Sequence, residues 1–164
     1  MANLDGQWNA TAFFERLCAK NRLAVANKFF FGSVSGLDGF EDALSAMKRN
    51  TAFCLISDTA DGFTELHNTP HTRRVKTVFL AMRHKVDDMA SRNECLETMR
   101  ELFRQFMSAL IPERTLVEEK GIYLDPRITF SEIDSYFFSG CACAYFNIAV
   151  DVYMDLSYNA DEWF

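Results

Sequence analysis

The stretch DDMASRNECLETMRELFRQFMSALI, residues 87–111, constrains the fold more than any other part of the chain. Its apolar side chains at Met89, Leu96, Met99, Phe103, Phe106 and Leu110 recur by 7, 3, 4, 3 and 4 residues, the spacing of one helical face. Ser91 and Glu94 form a candidate capping box at its start, and Pro112 is the expected stop. The heptads do not continue past it, so this helix is expected to lay its apolar stripe on a sheet rather than join a coiled coil.

The sheet is written in the segments around it. HTRRVKTVFLAMRHKV (71–86) alternates, with Val78, Leu80, Met82 and Val86 on one face and Phe79 and Ala81 on the other, and it begins with a basic cluster. KFFFGSV (28–34) and TAFCLIS (51–57) have strand length, with DTADG reading as a turn after the second. ITFSEIDSYFF and CACAYFNIAVDVYMDLSY are two further strand-rich runs divided at Ser139–Gly140. Residues 7–26 read as one amphipathic helix and 37–48 as another, while PERTLVEEKGIYLDPR reads as a polar connection ending in a short extended piece. The order α-β-α-β-β-α-β-β predicts one α+β domain over 1–164: a largely antiparallel sheet against the long helix and an N-terminal helical layer.

Period 2 in the last run places Ala142, Ala144, Phe146, Ile148, Val150, Val152 and Met154 on a core face. Cys141, Cys143, Tyr145, Asn147, Ala149, Asp151 and Tyr153 fall on a mixed face that would meet water or another chain. The two thiols of CAC could point together at a metal, but the companion pair that a zinc site needs is absent from the sequence pattern. The expectation is structural cysteine, with no metal and no cofactor. The pair in HNTPH flanks a proline turn with no cysteine nearby in sequence.

No catalytic residues are assigned. FGSVSG (31–36) and FFSGC (137–141) put serine beside glycine without a G-x-S-x-G signature, and GSVSGLDG lacks the lysine of a phosphate loop. The acidic residues near the end, Asp151, Asp155, Asp161 and Glu162, do not form an EF-hand loop. A net charge of -6 argues against general nucleic-acid binding. No run of about 18 apolar residues is present, so no membrane span is expected. The opening MANLDGQWNATAFF has no charged region followed by an apolar one, which leads to the expectation of a cytoplasmic chain with reduced thiols.

The order of elements, with strands TAFCLIS and RRVKTVFLAMRHKV, the helix at 88–111 and the closing strand YFNIAVDVYMDL, resembles the small tail-terminator and tail-to-head joining proteins of tailed bacteriophages. The terminal NADEW is similar to short tails of phage structural proteins, whereas the connection over 112–127 is long for the pattern. The resemblance implies a non-enzymatic subunit, cytoplasmic in the host and incorporated into a virion, that forms a homo-oligomeric ring at the tail-tube end. Its partners would be its own copies and tail-tube or neck proteins. Read from the residues, the material for a head-to-tail contact is Arg73, Arg74 and Lys76 on one side and Tyr153, Tyr158, Trp163 and Phe164 on the other. The alternative is a small cytoplasmic α+β ligand-binding domain or an enzyme of unknown reaction.

Overall fold

The computed structural model describes residues 8–136, 138–153 and 155–163. Its elements run α1 (Ala10–Lys20), α2 (Arg22–Ala26), β1 (Phe29–Val34), α3 (Gly36–Ala46), β2 (Ala52–Ser57), β3 (Asp61–Glu65), β4 (His71–Arg83), α4 (Met89–Glu118), β5 (Ile122–Leu124), β6 (Thr129–Glu132) and β7 (Cys141–Tyr153), followed by a 3₁₀ turn at Ala160–Glu162. The α+β architecture expected from the pattern is present: a mixed sheet of seven strands packed against α4 and the N-terminal helices.

Two strands of thirteen residues, β4 and β7, pair antiparallel from His71↔Tyr153 to Arg83↔Cys141 and form the centre of the sheet. Each outer side of this ribbon carries two shorter strands end to end. On β4 these are β2, beside 78–82, and β3, beside 71–75. On β7 they are β6, beside 144–147, and β5, beside 150–152. β1 adds to β2 in parallel, and α3 is the crossover between them.

One sheet face carries Cys54, Ile56, Val78, Leu80, Ala142, Phe146 and Ile148 and packs on α1, α2 and α4. Phe14 lies at the middle of this layer, with its ring 5.9 Å from Phe106 and 5.6 Å from Phe146. Full burial of such a ring contributes about 1.5–3 kcal/mol, so the aromatic centre dominates the packing energy. Among the described residues the opposite face is covered only at one end. There α3 sets Phe40 and Leu44 on Phe53, Leu55, Phe79, Ala81, Cys141 and Cys143. Arg83 ties α3 down by donating to the Leu44, Met47 and Asn50 carbonyls, a cation at a helix C-terminus.

Several expectations need correction. Cys141 and Cys143 do not face water: they are 0% and 1% exposed because α3 covers their end of the sheet, and they open a central strand. The first helix breaks at Asn21, which is extended and caps α2 by accepting the Ala24 N–H at 2.9 Å. Asp88, not Ser91, caps α4. Its carboxylate accepts the Ser91 N–H at 2.9 Å, while the Ser91 hydroxyl accepts from Lys85.

Pro112 does not end α4, which runs on to Glu118. An interior proline costs a helix about 3 kcal/mol, yet the turns beyond it are anchored. Val117 is buried, Glu113 accepts from Trp8 Nε1 at 3.0 Å, and Arg114 donates to the Leu124 carbonyl at 3.1 Å. The polar connection therefore holds the end of a helix and the strand β5, and β3 is a further strand beyond the expected order. Val86 is exposed beyond the end of β4, and the last strand ends by Tyr153 rather than reaching Tyr158. Gln7, Phe137, Met154 and Phe164 lie outside the described residues.

Candidate functional site

The end of the sheet away from α3 is built by the β3–β4 hairpin. Its turn is the HNTPH stretch, where Asn68 and Thr69 take positive φ of 53° and 74°. His71 Nδ1 lies 3.0 Å from the Thr69 carbonyl and the Glu65 carboxylate accepts the His67 N–H at 3.0 Å. Gly62 is required where the strands approach, because a Cβ there would lie 1.8 Å from the Arg73 carbonyl oxygen. Every residue of β3 is exposed.

Apolar side chains stand out on this end. Phe63 is 53% exposed, Leu66 75% and Tyr153 54%. The Phe63 ring lies 6.0 Å from His71, which in turn lies 6.0 Å from Tyr153, so the three form a row across β3, β4 and β7. The register puts Phe63, His71 and Tyr153 on the face that α3 leaves open. The chain leaves the sheet beside this row, and the segment that follows exposes Tyr158 and Trp163, stacked with ring centres 6.1 Å apart.

The expected basic cluster is divided by the pleat. Arg73 points to the open face with Asp151 and Tyr123, while Arg74 and Lys76 point to the other face with Val150 and Ile148. Arg73 is also engaged within the chain. Its Nε donates to Asp151 at 2.7 Å and its Nη2 to Asp125 at 2.9 Å, and the hydrogen bond it donates to Asp151 leads the causes that hold its pKa above the usual arginine value. Lys76 donates to the Ser57 and Asp58 carbonyls at 2.9 and 3.3 Å. Arg74 alone of the three is exposed, without a hydrogen bond or ion pair among the described residues. Of the residues expected in a contact, Tyr153, Tyr158 and Trp163 are thus displayed, Arg74 is available, Arg73 and Lys76 serve internal roles, and Phe164 lies outside the described residues.

Phe63 and Leu66 lie just past DTADG, whose composition reads as a turn and masks the strand that begins within it at Asp61. The signal available was the proline turn with an alternating segment after it, the mark of a hairpin whose first strand must precede that turn.

The thiols lie elsewhere and are inert in this setting. All five cysteines are buried. Burial pushes the Cys141 thiol up to about 11 and the Cys143 thiol further still, opposite to the direction a nucleophile needs. Cys54 is raised by its hydrogen bond with Cys18 and then by burial. Among the described residues no group of three or more His, Cys, Asp or Glu side chains comes together as a metal site. The Ser35 hydroxyl donates to Asp58 at 2.8 Å, and that of Ser139 lies 3.4 Å from that of Ser45. No described helix is long and apolar enough to cross a membrane.

No protein-family model matches the chain, and comparison with curated proteins finds none significantly similar to it.

Proposed function

We propose that this chain is a non-enzymatic structural subunit of a phage or prophage tail, which assembles with its own copies into a ring at the end of the tail tube. The observation that supports this reading is the hairpin end of the sheet, where Phe63 on β3, Leu66 in the turn and Tyr153 on β7 stand more than half exposed. The half-covered sheet face of the next copy, with Val75, Thr77, Asn147 and Ala149 half-buried, is the complementary surface. A contact between two different patches is heterologous and closes into a ring when its rotation allows. Aromatic and aliphatic anchors supply most of the energy of such a contact, and rim charges such as Arg74 orient it.

The test adds purified protein to tail tubes from its own genome and looks for a capping ring by electron microscopy, with sedimentation at rising concentration alongside. Phe63→Asp with Leu66→Asp is expected to abolish capping and self-association while leaving the melting temperature within a few degrees, because both side chains are already in water. A monomer in dilute solution fits a ring templated by the tube. Tubes left bare by the wild-type protein, or capped equally well by the double variant, would refute the reading.

A further inference from the structure

Between α4 and the β6–β7 end of the sheet lies an apolar cavity of about 330 Å³. It exists because of one small residue. The cross-sheet row Leu80–Ala144–Glu132 carries only a methyl group at its centre, next to the row Val78–Phe146–Phe130. The Phe103 ring, 5.1 Å from Phe146, holds the helix off the sheet at this level. The inner wall is Leu80, Leu96, Met99 and Phe146, each under 7% exposed.

The outer wall is of a different kind. β6 is an edge strand, and its Phe130 leans on Phe103 at 5.5 Å while remaining 63% exposed. Beside it Arg100 fastens the strand to α4 with two bonds to Glu132, both 2.7 Å, and also binds Glu97. Arg92, one helical turn before Leu96, donates to the Ile133 carbonyl at 3.2 Å, next to Glu132. The charged residues of the lining, Arg100 and Glu132, are thus paired with each other, and together they carry no net formal charge.

We infer that this cavity is a binding site for a small, uncharged, apolar molecule, with β6 as its lid and the Arg100–Glu132 pair as its latch. An apolar cavity of roughly 150 Å³ holds one benzene, so this one has room for about ten to twelve carbon atoms. The volume falls within the range of small-ligand sites, and the walls offer shape rather than polar partners. An anion gains nothing at the mouth, where Arg100 is already engaged by Glu132 and Glu97, and a cation finds the Glu132 carboxylate already held by Arg100. The site is independent of the assembly reading, because it lies on the opposite sheet face from the Phe63–His71–Tyr153 row.

The probe is 2-naphthol, with 2-naphthoate and 2-naphthylmethylammonium as charged comparators, read by nuclear Overhauser effects to methionine methyl groups. The expected result is a saturable effect at Met99 and none at Met47, which packs in the other core beside α3. The neutral probe is expected to bind at least tenfold more tightly than either ion. Ala144→Leu, or Ala144→Val if the leucine variant fails to fold, is expected to weaken binding at least tenfold by filling the gap. Absence of an effect at Met99, equal effects at Met47, tighter binding of an ion, or unchanged binding in a folded Ala144 variant would each overturn the inference.

Discussion

Cys143 and Asn147 lie on the same face of β7, four residues apart, and a carboxylate placed at each separates two accounts of that face. Strict alternation makes both positions equivalent, whereas the structure buries Cys143 under α3 and leaves Asn147 half-exposed. The native Cys143 thiol is already pushed far above its ordinary value by burial. A carboxyl group shifted up there by about three pH units, at about 1.4 kcal/mol per unit, costs ~4 kcal/mol at pH 7. Arg92, whose charge reaches this position, offsets part of that, so Cys143→Asp is expected to cost about 3–4 kcal/mol. Asn147→Asp keeps the acceptor for the Thr77 hydroxyl at 2.9 Å, and the Thr129 hydroxyl, now the acceptor of the Asn147 amide, can turn to donate. Its cost is expected below about 1 kcal/mol.

The sign with pH follows from the same shift. A carboxyl whose folded-state pKa is raised above its unfolded value of about 3.9 carries no ionisation penalty below that pH. The penalty grows as pH rises toward the folded value. The gap between Cys143→Asp and wild type is therefore expected to narrow between pH 7 and pH 4.5, as read from urea midpoints. Equal midpoint shifts for the two variants at pH 7, or a gap that widens in acid, would refute the burial of this end of the face.

Pro112→Ala is expected to stabilise the protein by about 1–3 kcal/mol, since α4 continues through this exposed position and alanine restores a backbone donor. A melting temperature that is unchanged or lower would show that the turns reaching Trp8 and β5 need the proline. Glu132→Gln tests the latch by pH. The Arg100 hydrogen bonds hold the Glu132 carboxyl below its ordinary value, so its contribution is present above about pH 4.5 and lost as pH falls through the folded value. The pair is partly exposed, so the deficit of Glu132→Gln at neutral pH is expected to be under about 1 kcal/mol and to vanish in acid. A deficit of the same size at pH 3 would remove the pair as its cause.

What local pattern determines here is the type and approximate position of the strongly periodic elements. α4, β4 and β7 were legible because each repeats its apolar residues with the period of its own backbone, β2 because it is a short apolar run of strand length, and the α+β class follows from their order. The long helix also had to find a sheet to cover, and it did. What depended on tertiary structure is which stretches of a face are covered and which charges are free. Alternation assigns a side to Cys143 and Asn147 alike, but only the position of α3 decides that one is dry and the other wet. Adjacency in sequence grouped Arg73 with Arg74 and Lys76, yet the pleat turns neighbours to opposite faces, and Asp125, 52 residues away, completes the partners of Arg73. Pro112 and Asn21 show the same limit from the other side. Propensity predicts a helix end at the first and continuity at the second, and contacts with Trp8, Leu124 and Gln105 reverse both because they stabilise the chain by more than the local preference costs. The cavity is the clearest case: Ala144 in a strand is unremarkable in sequence, and only its row-mates Leu80 and Glu132, brought in from two other strands, make its missing side chain a space.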